Sequence, residues 1–182
     1  MPAAPAYSKK IIGLTGFMGC GKSTVGRLLA ARLGWRFVDL DPSIEEHASL
    51  TINEIFERLG EPVFREMEHA VLARVLGEAL ERNQATVIAL GGGTFAQPAA
   101  AALLRESGCA VVWLRCPLET LLARCATMTN RPLFRDEATF LDLYRRRLPF
   151  YQQAPYCVES NREPLMVVEH LLAQGIVERV TV

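Results

Sequence analysis

Apolar residues recur along this chain in two alternating patterns, short unbroken runs and longer stretches spaced by three and four. Lys10–Thr15 (KIIGLT), Arg36–Asp39 (RFVD), Thr86–Leu90 (TVIAL) and Ala110–Leu114 (AVVWL) are the runs. Runs this apolar predict strands buried on both faces. Between them the period becomes helical. Val25, Leu28, Leu29 and Leu33 follow the first run and stop at Gly34, a residue suited to the left-handed end of a helix. Pro42 predicts the first position of another helix, with Asp41 as its cap. A long helix is predicted after Glu61-Pro62 on the stripe Phe64, Met67, Val71, Leu72, Val75, Leu76, Ala79 and Leu80. Leu118, Leu121, Leu122 and Cys125 repeat the spacing after Pro117. A further helix is predicted over 139–153, interrupted at Pro149, and another over 164–173, with a short strand near the end.

Strands alternating with helices in this way predict an α/β fold. It has a central parallel sheet of about five strands with helices on both faces, a three-layer sandwich. No repeat, low-complexity tract or Gly/Ser linker divides the 182 residues, so they read as one domain. Residues 1–9 are expected to be a flexible start. The polar stretch 127–137, with one proline and two arginines, is expected to be a mobile loop.

Composition narrows the partners. Twenty basic residues balance twenty acidic ones, so no net field draws the chain to nucleic acid or to a membrane. Met1–Lys10 lacks the apolar core of a signal peptide, and no run approaches the roughly 18 apolar residues of a membrane helix. A cytoplasmic monomer acting on small molecules is the expectation. Cys20, Cys109, Cys116, Cys125 and Cys157 form no Cys-x-x-Cys pair and have no histidine at zinc-ligand spacing. They read as free thiols in a reducing compartment.

Gly16-Phe17-Met18-Gly19-Cys20-Gly21-Lys22-Ser23 satisfies G-x-x-x-x-G-K-[ST], between a strand and a helix as a phosphate-binding loop requires. Glycines let the backbone turn its N–H groups inward, and the helix N-terminus adds partial positive charge. Lys22 is expected on the β- and γ-phosphates and Ser23 on Mg²⁺. The chain carries no Asn-Lys-x-Asp run for guanine, and the strand at 87–90 ends in glycines rather than in an acid. Both features argue against a GTPase or a motor ATPase.

Other positions bear on an acceptor. Asp39 and Asp41 are two apart at the end of a strand, the edge where open α/β sheets bind ligands. One is expected near the metal, while the other takes a hydroxyl proton. Arg65 and Glu68 stand three apart on a helix, so the carboxylate can orient the guanidinium, or the two form a solvated surface pair. Gly91-Gly92-Gly93 either offers bare backbone to a ligand or is a flexible turn. Arg145-Arg146-Arg147 reads, by charge alone, as a solvated run. Cys20, at a helix N-terminus beside Lys22, is either a reactive thiol or an inert small residue.

The segments GFMGCGKSTVGRLLA, FVDLD, INEIFERLGEPVFREMEH, LGGG, NRPLF, YRRRLPFYQQA and ESNREP together resemble the shikimate kinase family, over about 10–172. The resemblance implies a P-loop kinase sandwich with a mobile lid at 127–137, phosphorylating the 3-hydroxyl of shikimate with MgATP in aromatic amino acid biosynthesis. It implies nucleotide binding by Gly16, Gly19, Cys20, Gly21, Lys22, Ser23 and Thr24, with Arg124 and Pro164 about the adenine and Arg131 closing over the phosphates. It implies Mg²⁺ near Ser23 and Asp39, and catalysis by Lys22, Asp41 and Arg131. Asp41, Arg65, Arg147, Gly91, Gly92, Gly93, Phe56 and Phe64 would hold shikimate, with Glu68 orienting Arg65. Cys20 replaces the family's usual serine, the residues after Tyr151 lack the usual acids, and the lid is short. Rival readings are another P-loop small-molecule kinase, of gluconate or nucleoside monophosphate type, and a nucleotide-binding regulatory module with little turnover.

Overall fold

The computed structural model describes residues 10–126 and 136–177, and the backbone of 6–7 and 179–180. Strand β1 (Ala6–Tyr7) precedes β2 (Ile11–Thr15), α1 (Lys22–Leu33) and β3 (Arg36–Asp39). Three helices follow, α2 (Leu40–Ala48), α3 (Ile52–Arg58) and α4 (Gly60–Glu81), before β4 (Thr86–Ala89). A short 3-10 turn at Thr94–Ala96 leads to α5 (Pro98–Glu106), β5 (Ala110–Arg115) and α6 (Leu118–Ala126). Then come α7 (Glu137–Tyr151), β6 (Tyr156–Glu159), α8 (Pro164–Ala173) and β7 (Arg179–Val180).

Five strands lie parallel in the order β3-β4-β2-β5-β6, and β1 pairs with β7 antiparallel. Leu14 of β2 lies between Ala89 and Val112 in register. The chain leaves β2 toward one side of the sheet and later returns to build the other, so the C-terminal end of β2 is the topological switch point. Successive strand residues face opposite layers. Ile12, Leu14, Val87 and Val112 pack with Val25 and Leu29 of α1 and Val167 and Leu171 of α8. Ile11, Ile88 and Val111 pack with Ile44, Leu72, Val75 and Leu104 from α2, α4 and α5.

Where the structure departs from the sequence expectation, packing gives the reason. Asp41 does not cap α2. The helix starts at Leu40, which is fully buried, so β3 runs into it without a loop. Asp39 takes the cap position, and Pro42 falls in the first turn, where its missing N–H leaves no helical bond unmade. Pro149 does not interrupt α7. The helix carries on to Tyr151, a fully buried residue that stacks on Trp113 at 6.3 Å and donates through its hydroxyl to the Gly92 carbonyl. Asp136 caps α7 by accepting from the Thr139 N–H, so the expected loop ends earlier than residue 137. Within the start expected to be flexible, Ala6 and Tyr7 are strand residues. Helix α3 went unpredicted although Thr51 and Glu54 form a capping box, as did α5 and the edge strand β6.

Helix α1 lies close on the sheet because Gly26 has no side chain. A Cβ there would come within 2.7 Å of the Phe37 ring and 3.3 Å of Leu14. Gly26→Val should therefore lower stability by about 1–3 kcal/mol through overpacking, measured by urea denaturation. A change below about 0.5 kcal/mol would mean that the Phe37 ring swings clear.

Candidate active site

The loop from β2 to α1 turns on three glycines. Gly16, Gly19 and Gly21 have φ of 143°, 81° and 96°, which side-chain-bearing residues rarely adopt. Gly21 caps α1 without a side-chain bond, and the first turn of α1 holds no acid. The helix N-terminus is thus left open to an anion. Lys22 folds back, its Nζ donating to the carbonyls of Gly16 at 2.9 Å and Phe17 at 3.2 Å.

This loop borders a cavity of about 420 Å³ lined by Gly19 to Val25, Asp39, Asp41, Leu90, Arg124, Ser160, Arg162, Pro164 and Val167. Arg124 of α6 donates to the Gly19 carbonyl at 3.0 Å, tying α6 to the loop. Pro164, the first residue of α8, lines the same cavity. Arg162 joins them as an exposed cation that the sequence reading missed, although it lies within ESNREP. Cys20 borders the cavity, but its side chain is 1% exposed, with Sγ 3.9 Å from Lys22 Nζ. Burial closes the thiol to bulky reagents, which favours the inert reading over the reactive one.

Open amides, a lysine and two arginines suit a nucleotide polyphosphate. Ser23 and Asp39 bring a hydroxyl and a carboxylate to the cavity. Among the described residues no group of three or more His, Cys, Asp or Glu could hold a metal. A site of one or two oxygen ligands completed by phosphate fits Mg²⁺.

A second cavity of about 470 Å³ shares Asp41 with the first. Met18, Pro42, Glu45, Thr51, Ile52, Asn53, Phe56, Phe64, Arg65, Glu68, Gly91 to Gly93 and Arg147 line it with Asp41. The Phe56 and Phe64 rings lie 4.7 Å apart and form one wall.

The glycine triplet is a floor with no room for side chains. A Cβ on Gly91 would meet Thr94 Oγ1 at 2.8 Å, Glu68 Oε1 at 2.9 Å and Asp41 Oδ1 at 3.0 Å. One on Gly92 would meet Arg147 NH1 at 3.2 Å. One on Gly93 would lie 2.7 Å from Arg65 NH2 and 3.0 Å from Arg147 NH2. Two guanidinium groups therefore converge above Gly93.

Their electrostatic settings differ. Arg65 donates from NH1 to Glu68 at 2.8 Å, and from Nε and NH2 to Glu61 at 3.2 and 3.0 Å. Burial alone would lower its pKa, but Glu68 and Glu61 outweigh it and the net shift is upward. Glu61 was not anticipated from the sequence. Glu68 is buried and accepts from the Thr94 hydroxyl at 2.6 Å. Arg147 is 8% exposed, and among the described residues it has no ion pair with a carboxylate. It lies 5.8 Å over the Phe17 ring and near Tyr151. Burial lowers its pKa, opposed in part by Tyr151, and burial likewise raises the Tyr151 phenol. Arg145 and Arg146 stay exposed, and Arg146 pairs with Asp142. Arg131 lies outside the described residues.

Comparison with known proteins puts this geometry in context. The family model for shikimate kinase matches residues 18–175. Shikimate kinase of Moorella thermoacetica is 42% identical over 167 residues, covering 91% of this chain and 93% of that protein. That of Chlorobium chlorochromatii is 41% identical over 162 residues, covering 83% and 82%. Shikimate kinase from Acinetobacter baumannii, solved in complex with shikimate, superposes with a TM-score of 0.81 at 36% identity, over 92% of this chain and 96% of that one. A gluconokinase from Sinorhizobium meliloti reaches a TM-score of 0.58 at 20% identity, over 90% and 89%, a likeness of fold alone. With the family model spanning most of its length and relatives above 40% identity over most of theirs, the chain belongs to the shikimate kinase family.

Proposed function

We propose that the chain transfers the γ-phosphoryl group of ATP to the 3-hydroxyl of shikimate, a step of aromatic amino acid biosynthesis. The observation that carries this reading is a phosphate-binding cavity and an acceptor cavity meeting at one carboxylate, Asp41. The names of its relatives, and the shikimate complex of one of them, support the acceptor.

Each residue then has a task. Lys22 gives up the Gly16 and Phe17 carbonyls for phosphate oxygens, and the open amides at Gly19–Ser23 hold the rest of the chain of phosphates. Ser23 and Asp39 would hold Mg²⁺, which would offset phosphate charge. Thr24 borders the phosphates, and Arg124 and Pro164 flank the base. Asp41 orients the acceptor hydroxyl and takes its proton. Arg65 and Arg147 hold the acceptor carboxylate above Gly93, between the glycine floor and the Phe56–Phe64 wall. Resemblance alone assigns Arg131 to the phosphates. Among the described residues no helix is long and apolar enough to cross a membrane. We read the chain as a cytoplasmic, single-domain monomer; the lack of a repeat, low-complexity tract or Gly/Ser linker in the sequence supports the single domain.

Arg147 carries the physical argument for an anionic acceptor. A buried guanidinium without a paired carboxylate is costly, and a substrate carboxylate removes that cost on binding. The same burial should make the site a stability liability in the free protein.

Purified protein with MgATP should release ADP rapidly when shikimate is added and only slowly without it, followed by coupled NADH oxidation. ATP binding without stimulation would overturn the acceptor. Asp41→Asn should lower kcat by about 10²–10⁴ while ATP affinity holds, measured by titration calorimetry beside kinetics. A near-normal kcat would remove Asp41 as the base. Arg147→Met should raise the shikimate KM about tenfold or more without lowering the thermal midpoint. A lower midpoint with an unchanged KM would make Arg147 structural.

A further inference from the structure

Arg65 is held from two sides, and the two sides are unequal. Glu61 is 58% exposed, so its pair with Arg65 is screened by water and holds the guanidinium weakly. The Glu68 side chain is 2% exposed, and its bond to Arg65 NH1 is the one that can set direction. A buried carboxylate sets direction only if its own rotation is stopped.

Thr94 supplies that stop. It is fully buried on the turn that follows the glycine triplet, and its N–H donates to the Gly91 carbonyl at 3.2 Å. Its hydroxyl donates to Glu68 Oε1 at 2.6 Å while Glu68 Oε2 accepts from Arg65. Each oxygen of Glu68 thus has a side-chain donor, which fixes the carboxylate plane. Thr94 Oγ1, Glu68 Oε1 and Asp41 Oδ1 all lie within 3.0 Å of the point where a Gly91 Cβ would stand. Without the hydroxyl, Glu68 Oε1 would be a buried acceptor without this donor beside a second carboxylate, and the group would turn to find another.

We infer that Thr94 is a positioning residue for the acceptor carboxylate, acting through Glu68 to aim the Arg65 guanidinium over Gly93. Thr94 lines neither of the two cavities described above. It links the backbone of the glycine floor to the direction of the arginine above it, so floor and clamp keep one geometry. The inference rests on the reading of shikimate as acceptor.

The test compares Thr94→Val, which removes the hydroxyl at nearly constant volume, with Thr94→Ser, which keeps it. The wild-type protein is assayed first. If it does not turn over shikimate, the acceptor reading fails and takes this inference with it. Given wild-type turnover, Thr94→Val should raise the shikimate KM about tenfold, with kcat and the ATP KM within about twofold. Thr94→Ser should return the KM to near the wild-type value. The wild-type preference for shikimate over the analogue with a hydroxymethyl group in place of its carboxylate should shrink about tenfold in the valine variant. A valine variant with an unchanged shikimate KM, or one that loses thermal stability while keeping its preference for the acid, would overturn the assignment. Should Thr94→Val fail to fold, Thr94→Ala serves in the same comparison.

Discussion

The active-site geometry depends on bare backbone at the end of β4. Gly91, Gly92 and Gly93 do not need left-handed torsions; they need the absence of a Cβ, because oxygen and nitrogen atoms of other residues lie about 3 Å from each Cβ position. Asp41 arrives from α2, Arg65 and Glu68 from α4, Arg147 from α7 and Thr94 from the following turn. Charged groups from that many elements can meet at hydrogen-bonding distance only over a floor that has no side chains of its own. Any larger residue there would push at least one of them out of line.

Above that floor the charges are deliberately unequal. One guanidinium is paired twice and its proton is held more firmly than usual, while the other is buried beside a phenol and an aromatic ring. Arg65 is oriented by two carboxylates, whereas Arg147, among the described residues, has the Tyr151 phenol and the Phe17 ring beside it and no carboxylate in an ion pair. The two neighbouring cavities therefore differ in how their positive charge is built. In the nucleotide cavity positive potential comes from open amides, Lys22, Arg124 and Arg162 around a glycine-shaped turn. Asp41 borders both cavities.

Sheet topology puts the two cavities side by side. The nucleotide loop leaves the end of β2, and the glycine floor leaves the end of β4, its hydrogen-bonded neighbour. A parallel sheet sends both strand ends to the same edge, and the switch in chain direction at β2 leaves a crevice there. The close seat of α1 on the sheet, allowed by Gly26, keeps the helix N-terminus aimed at that crevice.

By itself the sequence determined the alternation of buried strands and amphipathic helices, the phosphate loop and the family resemblance. All of these rest on local periodicity or on contiguous motifs. It left the start of α2, the passage of α7 through Pro149 and the edge strand β6 unread, because burial of Leu40, anchoring of Tyr151 and pairing with β5 overrode or replaced the local signals. Arg145, Arg146 and Arg147 look alike in a row. Only the packing of α7 buries the third and leaves the others in water. Spacing named Arg65 and Glu68 as a pair, and the i, i+4 spacing of Glu61 and Arg65 was open to the same reading, but nothing local distinguished a surface pair from a buried one or pointed to Thr94. Those distinctions were decided by the tertiary structure, since desolvation and hydrogen-bond partners across elements depend on what the folded chain brings together.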